Sequence, residues 1–218
     1  MPSRYFRRPV VLALSCLATG TLWAAAPVPI CVGDFAPYNS PVLPKNGPAV
    51  EIAKEAFRRA GYAIRVQFAP WARNMQQGES AKCAVFGIWR NPARDLLFDY
   101  SQPILTQKLG LFGLRGAPAP APQAQALKFL TIGLERDSYV SPALNDKGLH
   151  FELANGNLAN LSKLAKRHVD LAYGEKGAGQ YLIRTTPDAL SNVEWKTELE
   201  NKYTYLALLK TYPQKETL

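Results

Sequence analysis

Apolar residues along this chain recur at two spacings, and the spacings alternate. In "AVEIAKEAFRRAGY", Ile52, Ala53, Ala56, Phe57 and Ala60 fall at helical intervals, and Gly61 is placed to end the helix in a left-handed conformation. "AIRVQF" follows with Ile64, Val66 and Phe68 between polar neighbours, the period of a half-buried strand. "ICVGD" upstream and "CAVFGI" downstream of a second helix are short unbroken apolar runs, suited to parallel strands covered on both faces. The first half therefore predicts strand, helix, strand, helix, strand, an order that right-handed crossovers wind into a parallel sheet. "KLGLFGLR" predicts a strand leaving that unit. Beyond it, "FLTIGL", "NLANLSKLAKRH", "VDLAY" and "EKGAGQYLIR" repeat the alternation as a second unit. The aromatic "KYTYLALLKTYP" predicts a last strand able to carry the chain back to the first unit.

Between the units, "GAPAPAPQAQ" at 116–125 cannot build a core, because proline withholds ladder donors and alanine buries little; it predicts a surface loop. At the start, "MPSRYFRRP" is basic, "VVLALSCLATGTLW" is apolar over about 14 residues and "AAA" is small, the layout of a signal peptide. The apolar run is shorter than the ~20 residues of a spanning helix. "ALS" ahead of Cys16 is a poor lipidation box, so cleavage near Ala26, export to the periplasm and no stable membrane insertion are the expectation.

Charge changes this picture little. The formal +9 of the 218 residues falls to +6 in the mature chain, because Arg4, Arg7 and Arg8 leave and no acid does. Basic residues form no block and do not interleave with aromatics, which argues against nucleic acid as a partner. Cys31 and Cys83 remain after export in neither metal-type nor redox-type spacing. Their even number in an oxidising compartment allows one disulfide, and two small buried side chains fit equally well.

Candidate chemistry collects in five loops that follow strands: "GDFAPY", "PWARN", "GIWRNPAR", "ERDSY" and "YGEKG". In open parallel sheets, ligands bind outside the carboxyl ends of the strands. Two units facing each other across a cleft would bring Phe35, Trp71, Trp89, Arg90 and Arg94 from the first against Ser138, Tyr139 and Glu175 from the second. The ordered set "VGDFAPY", "AVEIAKEAF", "PWARNMQQGE", "WRNPARDLLFDYSQPI", "IGLERDSY" and "VDLAYGEKGAGQYLI" resembles the periplasmic solute-binding proteins of the polar-amino-acid family, capture subunits of ABC importers. The likeness covers nearly the whole mature chain. Its most specific part is the arginine followed by "FDYSQP", similar to the family's arginine and Asp-Phe-Ser-x-Pro.

That resemblance implies an α/β, two-lobed fold of periplasmic-binding-protein type II, each lobe a mostly parallel sheet flanked by helices. Residues 27–114 would form lobe 1, 115–205 lobe 2 and 206–218 a return strand, with the C-terminal part of lobe 1 shortened relative to the family. It implies that Arg94 grips a ligand carboxylate through two parallel charge-assisted bonds. Phe35 would cover the ligand, and Gly87 would let backbone approach it. Ser138 would bond it at a helix N-terminus, and Glu175 would accept its ammonium where the family carries aspartate. Trp71 and Trp89 would wall the cleft. Arg90 departs from the small hydroxyl residue usual there, Asp137 from a glycine and Lys82 from an aspartate. The usual strand order would set the strands of Cys31 and Cys83 side by side, within reach of a disulfide.

The expectation is capture, by a monomer without cofactor, of a small carboxylate-bearing solute such as an amino acid for an ABC transporter permease. A dehydratase-like enzyme and a soluble sensor are the alternatives. For the enzyme, Glu175, His150 and His168 are the acid–base candidates, in no recognisable catalytic motif.

Overall fold

The computed structural model describes residues 26–121 and 123–213; apart from Ala26, the expected signal peptide lies outside them. The first half contains β1 (Val28–Val32), α1 (Pro48–Arg59), β2 (Ile64–Phe68), α2 (Trp71–Glu79), β3 (Ala84–Trp89), α3 (Pro92–Leu97) and β4 (Phe98–Tyr100). After β5 (Leu105–Leu114) come α4 (Ala124–Leu127), β6 (Thr131–Glu135), β7 (His150–Ala154), α5 (Asn157–Ala165), β8 (Leu171–Glu175), α6 (Lys176–Thr185) and α7 (Pro187–Leu190). The 17-residue β9 (Val193–Leu209) closes the fold.

The strands form one sheet in the order β2-β1-β3-β9-β5-β8-β6-β7, with β4 paired to β9. Parallel pairing holds β2-β1-β3 at one end and β8-β6-β7 at the other, as the alternating pattern predicts. The centre is antiparallel. There β5 and β9 pair along their whole common length, from Leu105 opposite Thr204 to Leu114 opposite Val193. The end of β9 pairs with β3, whereas Leu109–Phe112 of β5 pair with β8. Both long strands thus serve both halves. The passage between halves falls within β5, ahead of the expected boundary at Leu114, and the return is one strand from Val193 onward and not a separate element from 206.

Helices cover both faces of each half. Val28, Ile30, Val32 and Phe86 pack with Ala49, Val50 and Ala53 of α1, while Met75 of α2 packs with Val85, Ile88 and Phe98 on the opposite face. The buried stripe of α1 is Ala49, Val50 and Ala53, joined by the partly buried Phe57. The expected members Ile52, Ala56 and Ala60 face solvent, because a stripe at 49, 53 and 57 lies one residue off theirs. Gly61 has φ +85°, the left-handed end foreseen for this helix. In the second half Leu109, Leu111, Ile132, Leu134 and Leu171 share one core, and Phe112, Leu161, Leu164 and Leu190 share another. The Pro/Ala loop is tied down on β9, where Thr197 donates to the Pro120 carbonyl at 2.9 Å and the Lys196 ammonium donates to the Ala117 carbonyl.

Cys31 and Cys83 are bonded, with Cα atoms 5.7 Å apart. Cys31 lies on β1, and Cys83 immediately precedes β3, one residue short of the strand expected to carry it.

Candidate functional site

The carboxyl ends of β1, β2, β3 and β6 and the crossing strands surround a cleft of about 560 Å³ between the halves. That size suits a small organic solute. Of the residues expected at the site, Phe35, Trp71, Gly87, Trp89 and Ser138 line it.

Trp89 is fixed from two sides. Its indole N–H donates to Gln107 Oε1 at 2.8 Å and lies 3.2 Å from Thr204 Oγ1, both on the crossing strands. Its ring meets Phe35 edge to face at 6.0 Å. Gly87 sits in a bulge of β3, between Phe86 paired to Leu206 and Ile88 paired to Tyr205. Its φ of +86° suits glycine, and a Cβ there would meet nothing within 4 Å, so the backbone is open to the cleft. Ser138 belongs to a turn in which its N–H donates to the Glu135 carbonyl. It does not start a helix: the following helical turn is capped by Ser141, so the helix-N-terminus role expected of Ser138 is corrected.

Four expected site residues do not line the cleft. Arg94 is buried on α3, its guanidinium donating to the carbonyls of Trp89 at 2.8 Å and Asp137 at 3.0 Å and lying 5.6 Å from the Trp71 ring centre. Burial pushes its pKa down. The protein takes one donor from each terminal nitrogen and the side chain does not line the cleft, so no carboxylate grip is preformed there. Arg90 is exposed and turned to Asp95, which it meets through Nε at 3.0 Å and Nη2 at 3.2 Å over the Tyr100 ring. Tyr139 is a core residue, donating from its hydroxyl to Glu200. Glu175 is buried as the N-cap of α6, accepting from the Ala178 N–H at 2.7 Å and from the Tyr38 hydroxyl at 3.2 Å. Burial raises the pKa of Glu175, and burial and then Glu175 raise that of Tyr38 to about 12. Its carboxylate is taken up by the helix it begins and by Tyr38, and is not offered to the cleft.

Three of these contacts bridge the halves. Trp71 Nε1 and Arg94 both donate to the Asp137 carbonyl, at 3.0 Å each, and Tyr38 reaches Glu175. Asp137 has φ +59°, the left-handed conformation that a glycine would adopt freely.

The cleft also contains residues that the sequence pattern left aside: Asn39, Gln107 and Thr204 on its floor, Asp34, and the Glu135, Arg136 and Asn155–Gly156 wall. Gln107 and Thr204 lie inside strands, away from the loops where ligand residues were sought. Glu135 gave a signal that went unused, an acid closing the apolar run "FLTIGL" at a strand's carboxyl end. Burial alone pushes its carboxyl up to about 7. Among the described residues, no cluster of His, Cys, Asp and Glu could hold a metal, and no helix is long and apolar enough to cross a membrane.

The chain matches no family model. It matches no curated protein. Solved structures share its fold. A histidine kinase sensor domain with similarity to periplasmic binding proteins aligns over 84% of this chain and 83% of its own at 20% identity and TM-score 0.74. A Gly52Ala mutant of the arginine-bound ArgBP from T. maritima aligns over 84% and 87% at 13% and 0.72. The arginine-, lysine-, histidine-binding protein ArtJ from Geobacillus stearothermophilus aligns over 88% and 86% at 16% and 0.69. The architecture of two α/β halves joined by crossing strands is therefore that of periplasmic binding proteins, as the sequence motifs suggest.

Proposed function

We propose that this protein captures a small polar solute in the cleft between its halves, without chemical change, and delivers it to an ABC importer. The observation that carries the reading is the cleft itself. Phe35, Trp71 and Trp89 form aromatic walls, Gly87 offers bare backbone, and the surrounding loops come from two bodies joined by long strands that can flex. Such strands suit hinge closure around a ligand. The fold neighbours ArgBP and ArtJ, which bind arginine, support a solute of amino-acid size. Of the acid–base residues weighed for an enzyme, His150 and His168 are exposed and away from the cleft and Glu175 caps α6, so none of the three lines it. The basic, apolar and small segments at residues 1–26 support export to the periplasm.

A ligand sensor is the second reading, favoured by the histidine kinase sensor domain that shares the fold. A thermal-shift screen of anionic, neutral and cationic small solutes tests capture, because a ligand of the folded state raises the melting temperature by mass action. No shift with any class would overturn the binding reading. Uptake of the identified solute, lost on deleting the chain and restored on re-expressing it, separates import from sensing.

A further inference from the structure

We infer that the solute is a cation whose amine or guanidinium group sits on the Glu135 carboxylate, with its apolar stem covered by the aromatic walls. The inference rests on the capture reading above and narrows it to a ligand class.

Glu135 ends β6 on the second-half wall of the cleft, in the same wall as Ser138 and Asn155. Among the described residues its side chain has no hydrogen bond or ion pair, unlike Glu175, which has both a helix N–H and Tyr38. Neither nearby cation is paired with it: Arg94 points to two backbone carbonyls, and the exposed Arg136, on the same wall of the cleft, reaches towards Asn155 at 3.5 Å. The remaining ionisable residue on the cleft, Asp34, is also an acid. A half-buried carboxylate without a partner is unfavourable in the empty cleft and becomes favourable once a cation pairs with it in the same low-dielectric surroundings. The elevated midpoint of Glu135 agrees with this. Trp71, Trp89 and Phe35 add π faces that attract a cation and repel an anion.

The same geometry separates this ligand from one recognised chiefly by its carboxylate. Arg94, the group expected to hold that carboxylate, does not line the cleft, and Glu175, expected to hold the ammonium, is a helix cap. Recognition therefore falls to the charge at Glu135, and a carboxylate on the solute is not required.

The test uses four probes of related size with the mature protein at pH 8: L-arginine, its decarboxylated form agmatine, its uncharged near-isostere L-citrulline, and L-glutamate. Isothermal titration is expected to give arginine and agmatine affinities within tenfold of each other, with citrulline and glutamate at least tenfold weaker. Glu135→Gln should weaken arginine at least tenfold. Citrulline or glutamate binding as tightly as arginine overturns the inference in the wild-type protein alone, so the result does not depend on the variant's folding. Arginine binding to a folded Glu135→Gln within threefold of wild type overturns it too. If the four probes are silent and the broad screen finds only neutral or anionic ligands, the inference falls and capture stands. If no solute of any class binds, capture itself falls.

Discussion

Glu135 has a midpoint near 7 in place of its ordinary 4.5, so its neutral form fits the fold better than its charged form. A carboxyl whose pKa is raised on folding favours the folded state fully below pH 4.5, and that contribution is lost as pH rises through about 7. The shift corresponds to up to about 3 kcal/mol. Glu135→Gln should therefore unfold at higher urea than wild type at pH 8 and close to wild type at pH 4.5. Glu175, raised in the same direction, is present in both proteins and drops out of the comparison. An equal advantage at both pH values would show that burial of the Glu135 charge is not the cause. Arg94 and Arg90, four residues apart, differ in the opposite way from their shared chemistry. Arg94→Ala removes a buried guanidinium with its bonds to the Trp89 and Asp137 carbonyls, the latter keeping Trp71, an expected loss of about 2 to 4 kcal/mol in chemical denaturation. Arg90→Ala breaks a solvent-exposed pair with Asp95, so its smaller change in melting temperature should fade as salt is raised.

At the scale of elements, glycines mark where backbones pack closely and where only conformation matters. A Cβ on Gly110 would lie 2.0 Å from the Thr197 carbonyl oxygen, in the β5-β9 crossing where the pairing register shifts. Gly110→Ala must push the two strands apart, at an expected cost of at least about 2 kcal/mol. Gly61→Ala meets no atom within 4 Å and carries only the strain of its φ of +85°, about 1 kcal/mol. Urea melts that rank the two variants alike would mean that β9 yields freely at the crossing. The Cys31–Cys83 bond closes a sequence separation of 52 between β1 and β3, worth about 4 kcal/mol on the loop-entropy account. Replacing both cysteines with serine should lower the melting temperature, and a reductant should lower that of wild type towards the variant's. Of the parallel strands, β1, β3, β6 and β8 were legible from their apolar runs because they are largely buried, and β2 from its alternation. The first part of β9, "VEWKTELE", was not, because charged residues recur through it, Lys196 held on a carbonyl of the Pro/Ala loop and Glu200 on Tyr139, and its partner β5 is far away in sequence. The edge strand β7 was missed for a similar reason: Phe151 and Leu153 are exposed, so no buried face disciplines its pattern. Four of the five loops picked out at strand ends line the cleft and "YGEKG" does not, while Arg94, Tyr139 and Glu175 serve the scaffold. Residue type and spacing put a side chain near a site, but which way it turns is decided by carbonyls and helix ends that only the folded chain brings close.

For the molecule as a whole, the two halves are held across the mouth of the cleft by donors from the first and acceptors from the second. Trp71 and Arg94 meet at the Asp137 carbonyl, and Tyr38 meets Glu175, so closure does not depend on a ligand alone. A ligand shifts an equilibrium between open and closed forms only by its differential affinity for the two, and contacts within the protein set the starting balance. Removing two neutral donors while keeping an aromatic ring at each position, in the double variant Tyr38→Phe and Trp71→Phe, should forfeit about 2 kcal/mol of closure at ~1 kcal/mol per hydrogen bond. That is roughly thirtyfold in the ratio of closed to open forms. Small-angle scattering without solute should find wild type compact and the double variant expanded, and saturating arginine should contract the variant while leaving wild type nearly unchanged. A wild type already expanded without solute, or a variant with the same radius of gyration as wild type, would mean that the Tyr38 and Trp71 bonds do not hold the halves together.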